Sequence, residues 1–250
     1  MISISSLKKS FKSGFTLDID DLNIWDGERV ALIGENGSGK STLLRLIAGI
    51  IPPDEGEIDN VQCAMCNVQL SPESEDPDQI INNNKSATRN TQHATRLIGY
   101  QPQDPYCFRG TARYNIRLGQ HGDADIEGII DGCRIKELAD KNVRELSGGE
   151  RQRVCFARML AGNYGLLLLD EPFSQTDIDM SDYLCDYLVG YCKQNGTTLI
   201  MSTHTPAQAL SVATKILILN NGKVAEYSDI TRLENPESEF GRKFVAQWRL

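Results

Sequence analysis

At 250 residues, with 40% hydrophobic and 24% charged residues, the chain has the composition of an ordinary soluble protein. It is long enough for one large α/β domain with an inserted subdomain, or for two small domains. It has no uninterrupted apolar run near the roughly 20 residues that a membrane-crossing helix needs, and Met1 to Ser10 lack the basic start and apolar block of a secretory signal, so a cytoplasmic protein is expected. The net charge of −8 argues against a nucleic-acid surface, whose affinity rests on Lys and Arg neutralising phosphates. Seven scattered cysteines (63, 66, 107, 133, 155, 185, 192) suit reduced core residues better than a disulfide framework.

In chain order, Arg29 to Ile33 carries Val30, Ala31, Leu32 and Ile33 in a row, as in a strand buried on both faces of a parallel sheet. A Gly-rich turn follows. From Lys40 onward Leu43, Leu44, Leu46 and Ile47 fall at helical spacing, with Gly49 as a stop and Pro52-Pro53 preventing continuation. Residues 60 to 95, rich in Asn, Ser, Asp, Gln and Pro, read as a polar surface loop. Residues 104 to 162 read mainly as helix and loop, an inserted helical subdomain. A second apolar run, Leu166 to Leu169, ends in Asp170-Glu171. A helix is expected over Ser181 to Asn195, with Leu184, Tyr187, Leu188 and Tyr191 on one face and Gly196 closing it. A third strand, Thr197 to Met201, runs into Ser202-Thr203-His204, and Thr205-Pro206 reads as an N-cap and first helical position. Ile216 to Leu219 and Val224 to Tyr227 flank Asn220-Asn221-Gly222, a hairpin turn. Phe240, Phe244 and Trp248 mark a short amphipathic helix.

Gly34-Glu35-Asn36-Gly37-Ser38-Gly39-Lys40-Ser41 fits G-x-x-x-x-G-K-[ST] between a predicted strand and a predicted helix, the context that gives this motif meaning. The glycines let successive N–H groups turn inward around phosphate oxygens, and the helix N-terminus adds partial positive charge. Lys40 is then expected on the β- and γ-phosphates, Ser41 on Mg²⁺ and Thr42 on a phosphate. In open α/β sheets ligands gather at the C-terminal ends of strands. Asp170 is therefore placed to hold Mg²⁺, and Glu171 to polarise an attacking water. Adjacent acids at a strand end mean little alone; their weight comes from the apolar run before them and the loop upstream.

Leu146-Ser147-Gly148-Gly149-Glu150, followed by a helical stretch, resembles the signature of ABC-type ATPases. The resemblance covers nearly the whole chain. Gly99-Tyr100-Gln101-Pro102-Gln103 looks like the family's Q-loop, Ser174-Gln175-Thr176-Asp177 like its D-loop, and His204 like its switch histidine. It implies a P-loop NTPase core with a mostly parallel sheet, an antiparallel β edge and an inserted α-helical subdomain. The whole would be a single nucleotide-binding domain, with its core at 1–103 and 163–250, the helical subdomain at 104–162 and the polar insertion at 60–95. It also implies that the signature, Ser147, Gly148, Gly149 and Glu150, acts in trans over the γ-phosphate held by another copy's loop, so that two ATP molecules lie in a head-to-tail dimer. Gln103 would contact Mg²⁺ or the attacking water, His204 the γ-phosphate, and Asp177 the subunit interface. Gln103 matches the family pattern better than Gln101. Phe11 is the favoured aromatic for stacking on adenine, with Phe15 as its competitor.

Two departures stand out. Gln175-Thr176 replaces the small-then-leucine pair usual in the D-loop, and the polar insertion lengthens the stretch before Gln103. The insertion holds Cys63-Ala64-Met65-Cys66, but with His93 as the one nearby histidine a zinc site would be incomplete, so incidental cysteines are the default. The function implied is that of a peripheral subunit on the cytoplasmic face of the membrane. It would dimerise on Mg-ATP, as a homodimer or a pseudo-symmetric pair, and drive separate membrane-spanning permease subunits. A substrate-binding protein is a compatible further partner. Pro105 to Thr111 falls where family members receive a permease's coupling helix. The alternative is a soluble ABC-type ATPase that assembles a cofactor or remodels a complex. Neither the transported molecule nor the direction of transport is readable from the sequence.

Overall fold

The computed structural model describes residues 1–59 and 97–247; the polar stretch at 60–95 with Cys63, Cys66 and His93, and Trp248 near the end, lie outside the described residues. Within them the chain runs β1 (Ile2–Ser10), β2 (Thr16–Ile24), β3 (Arg29–Gly34), α1 (Lys40–Ile47), β4 (Glu55–Asp59), β5 (Ile98–Gln101), α2 (Ala112–Leu118), α3 (Ile126–Gly132) and α4 (Gly148–Ala161). It continues through β6 (Leu166–Asp170), α5 (Ile178–Asn195), β7 (Thr198–Ser202), α6 (Pro206–Val212), β8 (Lys215–Asn220), β9 (Lys223–Asp229) and α7 (Glu239–Gln247). Short 3-10 turns lie between α3 and α4 and after β9.

β3 explains the architecture. Successive side chains of a strand face opposite sides, and here Val30 and Leu32 enter one core while Ala31 and Ile33 enter another. The first core also takes Leu43, Leu44 and Ile47 of α1 and the inward faces of β1 and β2; the second takes Ala209 of α6 and Phe244 of α7. A strand buried on both faces belongs in the middle of a sheet. β3 accordingly lies between β7 and β8 in the order β5-β6-β7-β3-β8-β9. All neighbours pair in parallel except β8 and β9, the antiparallel hairpin turning at Asn221-Gly222. β6 and β7 alternate in the same way, sending Leu167, Leu169, Leu199 and Met201 into a third core shared with α4 and α5.

A separate antiparallel sheet, β2-β1-β4, closes the N-terminal side. Residues 2–24 form strands without the clean alternation that marks a strand in the sequence. Their buried positions step by two and then by three: Ile2, Ile4, Leu7 in β1, and Leu17, Ile19, Leu22, Ile24 in β2. The slip coincides with Ser6 at φ +47° and with a shift in the β1–β4 register between Ser5 and Lys8, a bulge that breaks the alternation. α5 starts at Ile178, three residues before the expected Ser181, because the Asp177 carboxylate caps it by accepting the Met180 N–H at 2.9 Å.

Candidate nucleotide-binding site

The Gly34–Ser41 loop joins the C-terminal end of β3 to α1. Gly39 is the N-cap of α1 and sits at φ +108°. A Cβ there would meet Leu17 Cδ1 at 2.7 Å and Phe15 Cζ at 3.0 Å, so any other residue would be strained both by its backbone and by contact. α1 has no side-chain cap and no acidic residue in its first turn, which leaves its leading N–H groups and positive dipole end directed at the loop. Burying Leu43, Leu44 and Ile47 contributes about 1.5–3 kcal/mol each, more than the ~1 kcal/mol that a missing cap costs. The helix therefore forms with an uncapped, anion-ready end.

Lys40 Nζ donates to the carbonyls of Gly34 (2.9 Å) and Glu35 (3.1 Å). Burial pushes its pKa down, against the carboxylates of Glu171 and Asp170, which raise it. Ser38 Oγ is buried without a hydrogen-bond partner among the described residues, and the Ser38 carbonyl accepts the Gly222 N–H at 3.0 Å, so the hairpin turn braces the loop. An ammonium and unspent N–H groups in one cradle form a donor set suited to phosphate.

An open cleft of about 600 Å³ lies over this loop. Asn36, Gly37, Gly39, Lys40, Ser41 and Thr42 line it, together with Phe11 and Phe15. Phe15 also packs against the first core, whereas Phe11 is exposed, its ring centroid 6.2 Å from that of Phe15. Gln103, Glu171 and His204 line the same cleft. Glu171 sits between the other two: Gln103 Nε2 donates to its Oε2 at 3.0 Å, and His204 Nε2 lies 2.7 Å from its Oε1. Gln101 is buried with neither amide atom partnered among the described residues, and it does not line the cleft.

The backbone at Glu171 is held in an unusual state. It has φ +49°, a left-handed conformation costing roughly 1–2 kcal/mol for a residue with a Cβ. Groups that the sequence reading did not single out hold it there. Ser202 Oγ accepts the Glu171 N–H at 2.9 Å while donating to Asp170 Oδ1 at 2.6 Å. Gln152, only 2% exposed on α4, donates through Nε2 to the Glu171 carbonyl and to Ser174 Oγ, both at 3.2 Å. Its Oε1 accepts the Gln175 N–H at 3.0 Å. One side chain on the signature helix thus fixes both the acidic strand end and the following turn. The signal for it was a polar residue on a buried stripe, since Gln152 shares the inward face of α4 with Cys155, Phe156 and Leu160.

The signature residues lie elsewhere. Ser147, Gly148, Gly149 and Glu150 line a second cleft of about 520 Å³ with Asp177 and Arg153, and no residue lines both clefts. Ser147 and Glu150 form a capping box at the start of α4: the Ser147 hydroxyl accepts the Glu150 N–H, and the Glu150 carboxylate accepts the Ser147 N–H at 2.7 Å. That backbone bond is the main cause holding the Glu150 pKa below its ordinary value. A Cβ on Gly149 would approach the Gln175 carbonyl to 2.6 Å, so the small residue is needed for the turn to pass.

The model of the ABC transporter family matches residues 17–174. The chain belongs to the ABC transporter family. Among its ABC relatives are the sulfate/thiosulfate import ATP-binding protein of Synechococcus elongatus, 33% identical over 98% of this chain and 67% of that protein, and the putrescine transport ATP-binding protein of Escherichia coli, 30% identical over 98% and 62%. The chain spans about two thirds of the length of the curated ABC relatives it matches. A dimeric post-hydrolysis ATP-binding cassette bound to ADP and Pi superposes with a TM-score of 0.71 at 24% identity, covering 92% of this chain and 99% of that one. At that identity the likeness speaks to the ABC cassette fold: the parallel sheet, its antiparallel edge and the surrounding helices.

Proposed function

We propose that this chain is the ATP-hydrolysing subunit of a transporter: it binds Mg-ATP in the Gly34–Ser41 cleft, dimerises head to tail, and drives a separate membrane-spanning permease from the cytoplasmic face. The observation that carries the chemistry is the Glu171 carboxylate, held between Gln103 and His204 beside the Lys40 loop. In that position Glu171 orients and polarises a water, His204 contacts the γ-phosphate, and Lys40 exchanges its two loop carbonyls for phosphate oxygens. Phe11 stacks on the adenine, while Asn36 to Thr42 cradle the phosphates. Ser41, Asp170 and Gln103 offer hydroxyl, carboxylate and amide oxygens, a hard donor set that fits Mg²⁺ completed by phosphate and water. Bound there, Mg²⁺ supplies neutralisation of developing phosphate charge.

The separation of the two clefts supports the dimer. Ser147, Gly148, Gly149 and Glu150 present a helix start to solvent apart from the loop of their own chain, and a second copy, identical or pseudo-equivalent, brings its loop to them with Asp177 at the seam. The permease reading rests on the relatives, which carry import and transport in their names. Among the described residues no helix is long and apolar enough to cross a membrane, so the pathway itself is assigned to partner subunits, with a substrate-binding protein compatible as a further component. Glu171→Gln should retain ATP binding, lose turnover and accumulate dimer; a monomeric, fully active variant overturns the mechanism. Ser147→Arg should lose hydrolysis with binding intact, and loss of binding contradicts action in trans. Purification from detergent extracts should bring down a polytopic protein, whereas a soluble complex alone supports the assembly or remodelling role instead.

A further inference from the structure

Two cysteines from distant parts of the chain face each other, and neither lines either cleft. Cys107 lies in the segment after Gln103, and Cys155 on α4, the helix that begins at the signature. Their sulfurs are 3.3 Å apart. The surroundings hold them in that position. Arg158 Nη2 donates to the Tyr106 carbonyl at 2.7 Å, and Asn115 on α2 clamps Phe108 twice, accepting its N–H at 2.7 Å and donating to its carbonyl at 2.9 Å. A covalent S–S bond of about 2 Å needs only a small further approach.

The two thiols differ in character. Cys107 is half-buried and Cys155 buried. The hydrogen bond with Cys155 is the main cause that brings the Cys107 pKa down to about 7, with the guanidinium groups of Arg158 and Arg151 helping against burial. Cys155 is pushed up by the same bond and by burial. Burial also pushes Cys133, Cys185 and Cys192 up, so among the described cysteines Cys107 is the reactive one and Cys155 the neighbour able to resolve it.

We propose that Cys107 and Cys155 form a reversible thiol–disulfide site, oxidised by small-molecule disulfides, which fastens the segment after Gln103 to the signature helix and slows turnover. The Cys107 thiolate attacks one sulfur of the small disulfide, breaking its S–S bond and expelling one thiolate. Cys155 then displaces the second thiolate from the mixed disulfide, and its proton goes to that leaving group. Counted from the two thiols, the cysteines lose two electrons and two protons; the proton that Cys107 released on forming its thiolate is taken up by the first expelled thiolate, so the small disulfide becomes two thiols. Only three residues separate Cys107 from Gln103, whose amide holds Glu171, so the link removes freedom from the segment that bears a catalytic contact.

The slowing of turnover rests on the ATPase reading above; the site itself does not. The full chain is incubated with oxidised glutathione, alkylated, digested and mapped by mass spectrometry. The expected product is one peptide pair joined through Cys107 and Cys155, released by dithiothreitol. ATPase turnover falls at least about fivefold, a coupling of the usual size, and returns on reduction, while Cys107→Ser and Cys155→Ala keep the basal rate and ignore the oxidant. Linkage through any other pair, or a stable glutathione adduct on Cys107, overturns the site. A mapped Cys107–Cys155 link with unchanged turnover overturns the regulation. A chain without turnover before oxidation counts against the ATPase reading, and the peptide map still decides the site.

Discussion

Replacing Gln152 by leucine keeps nearly the same volume and removes every polar contact that this residue makes. Three of those contacts lie at 3.0–3.2 Å, to the Glu171 carbonyl, Ser174 Oγ and the Gln175 N–H. At about 1 kcal/mol each, with a further ~1–3 kcal/mol for an N–H left unpaired, the loss is about 4–6 kcal/mol. A domain above the lower end of the ordinary range of about 5–15 kcal/mol survives that. Glu171 then has one fewer restraint on a left-handed backbone that stores roughly 1–2 kcal/mol. Relaxation of that size corresponds to about tenfold in rate. Gln152→Leu is expected to lower the urea midpoint and to reduce ATP turnover about tenfold, with nucleotide affinity little changed. Urea unfolding and steady-state ATPase assays with nucleotide titration measure both. A leucine variant that unfolds earlier yet turns over at the parent rate would refute the proposed coupling; an unchanged midpoint would refute the hydrogen-bond argument.

Ser202→Ala removes the donor to Asp170 and the acceptor of the Glu171 N–H. A charge-assisted bond contributes about 1.5–3 kcal/mol, so a drop in stability of that order is expected, together with a higher Mg²⁺ requirement in the ATPase assay. Gly222→Ala combines a backbone at φ +80° with a Cβ that would run into the Thr16 carbonyl; a loss of at least ~1–3 kcal/mol and weaker nucleotide binding should appear in thermal unfolding and titration. Alkylation of Cys107 by iodoacetamide should rise with pH through a midpoint of about 7, because only the thiolate reacts and the lowered pKa places it there. In Cys155→Ala, which lacks the partner that stabilises the thiolate, the midpoint should move up, as read by peptide mass spectrometry.

The parts of the fold legible in the sequence were those with redundant local signals. Val30 to Ile33 reads as a central strand because both of its faces are apolar, and the loop after it is specified by glycines whose positions the backbone demands. The convergence of Glu171 and His204 followed from their strand-end positions, and that of Gln103 from the family resemblance. The N-terminal sheet was not legible, because a bulge at Ser6 shifts the spacing of its buried residues. Gln152 was missed for a different reason. A glutamine on a helix ordinarily faces water, and its partners, Glu171 and Gln175, lie far along the chain and meet it only once α4 has packed against the sheet. Cys107 and Cys155 are likewise neighbours by tertiary packing alone.

The position of β3 has a consequence for how the molecule is made. The strand that launches the phosphate loop is flanked by β7 and β8, and the loop is braced by Gly222. During synthesis, then, residues 29–41 leave the ribosome with none of these neighbours and wait for about 190 more residues, roughly 10–40 s at 5–20 residues per second. Through that interval a strand that the folded sheet buries on both faces has both edges unpaired. A nascent chain stalled before β7 would therefore carry an intact loop sequence without the strands and turn that hold the loop in place.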